Sequence, residues 1–219
     1  MPPGSSPTLQ EARRKAYRQV VLEAAEAVFA EYGFDGAKIQ HIADRAGVSV
    51  GTIYGVFGSK SELFSVVLTR RLPELLDLSR AAAVTAKSAL ESLLEGIDAY
   101  LSYLLAHPNY LQIHLREHAW GLGPTRASSE QLAGWREGLD LQAAVLQAAI
   151  DEGSVIPEDP HRLARCITAV HQVQLWDWVE SGMTEPPAEV SARLRRLFLH
   201  MFCTDRARPG QPDEERPAR

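Results

Sequence analysis

Apolar positions in the first third of the chain recur at three- and four-residue steps, and glycines and a proline interrupt them at short intervals. Val21, Ala24, Ala25, Val28, Phe29 and Tyr32 line one face of a predicted first helix, which Gly33 stops. A short second helix fits 39–46, with Ile42, Ala43 and Ala46 facing inward. Gly47-Val48-Ser49 makes a tight break, and Ser49 is placed to cap a third short helix that ends near Phe57-Gly58. Ser59-x-x-Glu62 is a capping box that opens a long fourth helix bearing Leu63, Val66, Val67, Leu72, Leu75 and Leu76. Pro73 lies inside that pattern and is expected to kink or divide it, because proline removes a backbone donor and clashes with the preceding turn.

From Ser88 onward there is no strand alternation. The helices drawn are 88–106, 108–120, 128–152, 160–181 and 187–202, with Asp159-Pro160 as cap and first-turn proline and Gly153 and Gly182 closing the preceding helices. The fold class is therefore all-α. Its organisation reads as a flexible N-terminus at 1–10, a small three-helix domain at 11–60, a helical domain at 61–204 and a disordered tail at 205–219, the tail being rich in Pro, Arg and Glu.

Composition narrows the class without naming it. Hydrophobic residues make up 45% and charged residues 23%, enough apolar surface for a sizeable core. No run of eighteen apolar residues occurs and the N-terminus lacks the apolar core of a secretory signal, so a cytoplasmic protein without membrane contact is expected. Cys166 and Cys203 are far apart and are read as buried thiols. Net charge is -5, yet residues 1–60 carry seven Lys/Arg against six Asp/Glu; the asymmetry is mild and by itself weak evidence for nucleic acid.

Two short helices joined by a glycine-bearing turn form a helix-turn-helix, in which the second helix enters the major groove of DNA. The stretch "IADRAGVSVGTIYGVFGSKSELF", Ile42 to Phe64, closely resembles the N-terminal domain of the TetR family of bacterial transcriptional regulators. Ile42, Ala43, Ala46, Gly47, Val48, Ser49, Gly51, Thr52, Ile53, Tyr54, Phe57, Ser59, Lys60 and Leu63 match the family pattern. The upstream "AAEAVFAEYGFDGAKIQHIA" also resembles its first two helices. The resemblance implies a homodimer with two DNA-reading heads and helical C-terminal domains that bind a small molecule and pair through the last two long helices.

This chain departs from the family where charge is usual, at Val50, Gly55, Val56 and Ala37. Its expected DNA contacts are the hydroxyls of Ser49, Thr52 and Tyr54, the amides at the helix N-terminus, and the cation Lys60. Lys38, Gln40 and His41 open the second helix, which in this family lies against the DNA backbone. Val50 and the Thr52 methyl can meet a thymine methyl, while Gly51 and Gly55 permit close approach. Phe57 is read as core and Tyr54 as core or phosphate contact. The Arg13-Arg14-Lys15-x-x-Arg18 cluster reads as a solvated face or a further DNA contact.

Aromatic and polar residues on otherwise apolar helices are the effector-site candidates: Tyr103, then Tyr110, His114, His118 and Trp120, then Trp135, then His171, Gln174 and Trp178. Each is also an ordinary core residue by spacing. His114 and His118 stand four apart with Glu117 between them, a spacing that can chelate metal, but the pattern is not HExxH and the reading assigns no metal and no cofactor. No Ser/His/Asp set, phosphate loop or CxxC pair points to an enzyme. For pairing, Val173, Trp176 and Val179 on 160–181 and Leu194, Leu197, Phe198 and Met201 on 187–202 supply the apolar seam. The expectation is a homodimeric repressor, released from a palindromic double-stranded DNA operator by a small apolar or amphipathic effector. The alternatives are an effector-independent regulator or activator, and a metal-binding helical protein built on His114, Glu117 and His118.

Overall fold

A computed structural model describes residues 9–117 and 129–207. Two compact units divide the chain. The first holds residues 1–71 together with Asn109–Arg116; the second holds Leu72–Pro108 and Glu117 onward.

In the first unit, α1 (Leu9–Gly36) breaks at Gly33, whose φ of 68° lies in the left-handed region that glycine alone enters without strain. Helix α2 (Ile39–Ala46) ends on Gly47 at φ 64°, and α3 (Val50–Phe57) follows after two residues. Helix α4 (Lys60–Thr69) starts at the Ser59 cap, whose Oγ accepts from the Glu62 N–H at 3.0 Å. One core joins them: Val21, Ala25, Val28 and Phe29 of α1 meet Ile42 of α2, Ile53 and Phe57 of α3 and Leu63, Phe64 and Val67 of α4. Phe64 packs its ring edge-on to Phe29 at 4.8 Å. Burying each such large side chain contributes about 1.5–3 kcal/mol.

The predicted long fourth helix is two helices. α4 stops at Thr69, and α5 (Leu72–Thr85) begins with Pro73 in its first turn, where a missing N–H costs nothing. At the end of α4, the buried Glu26 carboxylate accepts from Arg70 and from Arg71, the latter at 3.1 Å.

The second unit is built from α5, α6 (Ala89–Ala106), α8 (Ser129–Asp151), α9 (Pro160–Glu180) and α10 (Pro187–Phe202), with a 3-10 turn at Asp205–Ala207. α7 (Pro108–Glu117) falls largely in the first unit. Within the second unit, α6 packs on α5, α8 and α10, and α9 packs on α8 and α10. Gly134 of α8 lets α5 approach: a Cβ there would stand 3.2 Å from Leu72 Cδ1. Ser88 and Asp159 cap α6 and α9, accepting from the N–H groups of Glu91 and Arg162. A one-residue antiparallel bridge, Val155 with Cys203, ties the α8–α9 connection to the end of α10. Cys203 is buried as expected, whereas Cys166 is exposed on α9, because it falls off the helix's apolar stripe. The segment expected to be disordered from 205 begins with the 3-10 turn, and 208–219 lie outside the described residues.

Candidate nucleic-acid interface

Helix α3 presents a polar, uncharged face. Ser49 Oγ accepts from the Thr52 N–H at 3.0 Å and lies 2.9 Å from Thr52 Oγ1. The two hydroxyls share one hydrogen bond between them, so one O–H proton of the pair remains for a phosphate. Gly51, Tyr54 and Gly55 are exposed on the same short helix, Tyr54 at 46%. No atom lies within 4 Å of where a Cβ on Gly55 would stand, so that surface is open to close approach.

Val50 is shared between core and surface. It is half-buried and packs against the core with Val48 and Val56, because the first turn of α3 carries it toward Ile53 and Phe57. Val50 and Thr52 are alike half-buried, so each keeps part of its apolar surface on α3 beside the exposed Gly51 and Gly55.

Around α3 the cations are set by their own unit. Lys60 Nζ donates to the Asp35 carbonyl at 3.4 Å and sits 4.7 Å from the Phe34 ring centroid, so its half-buried side chain is held by its own unit. Lys38 is exposed just before α2, Gln40 donates to Asp44 at 2.7 Å, and His41 is half-buried with its ring 5.4 Å from that of Tyr32. Arg18, from α1, places its guanidinium carbon 4.8 Å from the Phe57 ring centroid. Sequence reasoning left this arginine undecided; only the folded chain brings it to the end of α3.

The effector-site candidates are scattered. Tyr110 and His114 lie in the first unit, not the second: Tyr110 donates to the Leu68 carbonyl at 3.4 Å, and Arg116 of the same helix donates to the Ala30 carbonyl freed by the break at Gly33. His118 and Trp120 lie outside the described residues. In the second unit, Tyr103 donates to Glu74, and Trp135 and Gln174 are half-buried. Trp178 is buried with its indole N–H donating to the Glu185 carbonyl at 2.8 Å. His171 sits on the buried stripe Leu163, Ala164, Ile167, Leu175 of α9, and burial holds its pKa down to about 4, so the ring is neutral. Two polar residues were missed: Gln172, buried beside it, and Tyr100 of α6, whose phenol burial pushes above its ordinary range. An open groove of about 570 Å³ runs between α6 and α10, flanked by the Asp98–Arg195 ion pair, and none of the nominated residues lines it.

Of the pairing candidates, Val173 and Met201 are exposed at 46% and 45%, while Trp176, Val179 and Leu197 are half-buried. Leu194 and Phe198 belong to the unit's own core, at 0% and 1% exposure, since they fall on the inward stripe of α10 with Val190 and Phe202. Among the described residues no three His, Cys, Asp or Glu side chains gather to hold a metal, and no helix is long and apolar enough to cross a membrane.

Residues 21–67 match the family model described as bacterial regulatory proteins, tetR family. The HTH-type transcriptional regulator YhgD of Bacillus subtilis is 24% identical over 184 residues, 83% of this chain and 94% of that one. The HTH-type transcriptional repressor SCO4008 of Streptomyces coelicolor is 37% identical over 100 residues, 45% of this chain and 48% of its own length. Among solved structures, the ketosteroid transcriptional regulator KstR2 of Mycobacterium tuberculosis superposes with a TM-score of 0.73 at 25% identity, covering 86% of this chain and 95% of its own. These similarities run from the reading head through the helical second unit. The Ser49-capped α3, with its hydroxyls, exposed tyrosine and open glycines, lies within the stretch that matches the tetR family of bacterial regulatory proteins, and the chain resembles transcriptional regulators of that family along most of its length.

Proposed function

We propose that the chain is a homodimeric repressor that holds a palindromic operator and is released by a small, largely apolar effector bound in the second unit. The observation that carries the DNA half of this reading is the exposed α3 face, Gly51, Tyr54 and Gly55, flanked by Lys38 and Lys60 on one compact unit. Ser49, Thr52, Gln40 and His41 complete the proposed contact set, which positions the duplex by hydroxyls and helix-end amides.

The effector half rests on the second unit's interior. Its buried polar groups include His171 and Gln172 among leucines and isoleucine, and the His171 ring is uncharged. Such an interior suits an apolar molecule with one or two hydrogen-bonding groups. Release requires only that the effector bind the dimer conformation that cannot span two half-sites more tightly than the one that can. Val173, Trp176, Leu197 and Met201 are the proposed seam between copies.

Selection of bound duplexes from a random pool tests the reading. A palindrome is the expected product; enrichment of no sequence, or of an asymmetric site bound by one chain, refutes it. Repeating the binding with compounds that raise the melting temperature tests release, since a ligand of the native state stabilises it. Compounds that stabilise the protein yet leave operator affinity unchanged would reject the release mechanism and favour an effector-independent regulator.

A further inference from the structure

Helix α3 and its flanking turns hold none of the side chains that hydrogen-bond a base edge in pairs. Residues 47–58 run Gly-Val-Ser-Val-Gly-Thr-Ile-Tyr-Gly-Val-Phe-Gly, without Asn, Gln, Asp, Glu, Lys, Arg or His. In the major groove, guanine shows two acceptors that suit Arg or Lys, adenine an acceptor and a donor that suit Asn or Gln, and cytosine a donor that suits Asp or Glu. Thymine alone adds an apolar feature, its C5 methyl group. A helix equipped with hydroxyls and aliphatic carbons therefore has one base it can single out by apolar contact.

The polar side chains next to α3 are engaged within their own unit. Gln40 Nε2 donates to the Asp44 carboxylate at 2.7 Å, and Lys60 Nζ donates to the Asp35 carbonyl at 3.4 Å. Arg45 stands in the last turn of α2, where its charge meets the negative end of that helix.

The geometry of α3 suits a methyl group. Ser49 Oγ accepts from the Thr52 N–H at 3.0 Å and stands 2.9 Å from Thr52 Oγ1. Holding the hydroxyl on the cap sets the stiff torsion that also carries the Thr52 methyl. Gly51 and Gly55, one turn apart, are both exposed. A Cβ on Gly55 would meet nothing within 4 Å, and one on Gly51 only Ser49 Oγ at 3.7 Å. Bare backbone beside a fixed methyl lets a second methyl come into van der Waals contact, where larger side chains would hold the base edge away. Val50, half-buried at the start of the helix, leaves part of its aliphatic surface beside Gly51.

We propose that α3 reads its half-site through the C5 methyl groups of thymine, with the Thr52 methyl and Val50 as the specificity-determining contacts, and that it makes no paired hydrogen bond to guanine. The inference rests on the DNA-binding reading above and names the base that this reading leaves open. Thymines occupy the centre of each half-site, and guanines there are tolerated rather than required.

The test uses the full-length protein and the duplex enriched from the random pool, with affinity measured by fluorescence anisotropy at one salt concentration. Deoxyuridine replaces thymidine one position at a time, which removes the methyl and keeps the base pair. The expected result is one or two thymines per half-site at which uracil weakens binding about fourfold, the effect of one buried methyl group. Exchanging such a T·A pair for 5-methylcytosine·G is expected to retain more affinity than exchanging it for C·G, because 5-methylcytosine returns the methyl to the same edge. 7-Deazaguanine in place of guanine is expected to change affinity by less than about twofold, since it deletes an acceptor that α3 does not use. Thr52→Ser keeps the hydroxyl and removes the methyl, so the uracil effect should vanish at one thymine per half-site; Val50→Ala should remove it at a neighbouring one. The uracil and 5-methylcytosine comparisons need only the wild type and stand even if a variant fails to fold. Uracil tolerated at every position overturns the proposal, as does a larger loss on 7-deazaguanine. A uracil effect that persists in both variants overturns the assignment to Thr52 and Val50. A wild type that enriches no duplex is a different failure, that of the DNA-binding reading itself.

Discussion

Gly55 stands in the middle of α3 with open space where a side chain would be. In an exposed helix interior, glycine costs about 0.5–1 kcal/mol relative to alanine. That cost is understandable if the position must admit the duplex closely. Gly55→Ala is therefore expected to raise stability to chemical denaturation by about 0.5–1 kcal/mol and to weaken operator binding roughly tenfold, or about 1.4 kcal/mol. Unchanged affinity in an anisotropy titration would place Gly55 away from the DNA. His171 makes a residue-scale prediction of another kind. Its folded pKa of about 4 lies below the ordinary 6.5, because burial disfavours the charged ring. The unfolded chain thus binds an extra proton between those values, and stability rises with pH in that window. The His171 contribution is fully present above pH 6.5 and is lost as pH falls toward 4, a difference of about 3 kcal/mol. His171→Gln is expected to flatten this part of the stability profile; a profile parallel to wild type would show that carboxylates alone set it. The Ser49 cap was legible in the sequence because it depends on residues three apart. The inward turn of Val50 was not, because it depends on the angle at which α3 meets α1 and α4.

Among the elements, α4 and α7 show where pattern and packing part. The apolar positions of α4 announced a helix, but which core they would join was settled by Leu63, Phe64 and Val67 meeting Phe29 and Phe34. α7 shares that fate from much further along the chain: Ile113 enters the core of the first unit although it lies forty-four residues past the end of α4. Periodicity supplies an apolar stripe and says nothing about its partner. The Glu26 cluster is similar, since Arg70 and Arg71 reach it across forty-four and forty-five residues. Removing one partner of a buried ion pair strands the other charges, which here are themselves mostly buried. Glu26→Gln is expected to destabilise the first unit by about 2–4 kcal/mol in denaturant titration, discounted from a fully buried pair for the partial exposure of both arginines. A loss under about 0.5 kcal/mol would mark the cluster as a solvated surface pair.

At the scale of the whole molecule, the all-helical reading, the dividing proline and the caps at Ser49, Ser59 and Asp159 follow from local chemistry and hold in the fold. Pairing belongs to this scale. Val173 and Met201 remain exposed on α9 and α10, and burying them against a second copy would remove an apolar surface that a single chain leaves in water. Val173→Asp combined with Met201→Glu is expected to shift the mass seen by light scattering toward the monomer and to abolish two-half-site operator binding, with thermal stability of the single chain retained. A dimer of wild-type mass would exclude this face. The sequence by itself determined what depends on neighbours a few residues apart: helix periods, helix ends, the helix-turn-helix signature and the absence of charge on its reading helix. The tertiary structure alone decided which stripes share a core, that Tyr110 and His114 pack with the reading head, that Val50 turns inward, and that Arg18 lies on Phe57. Those outcomes depend on where distant helices cross, and a crossing is set by the summed fit of many side chains rather than by any local run.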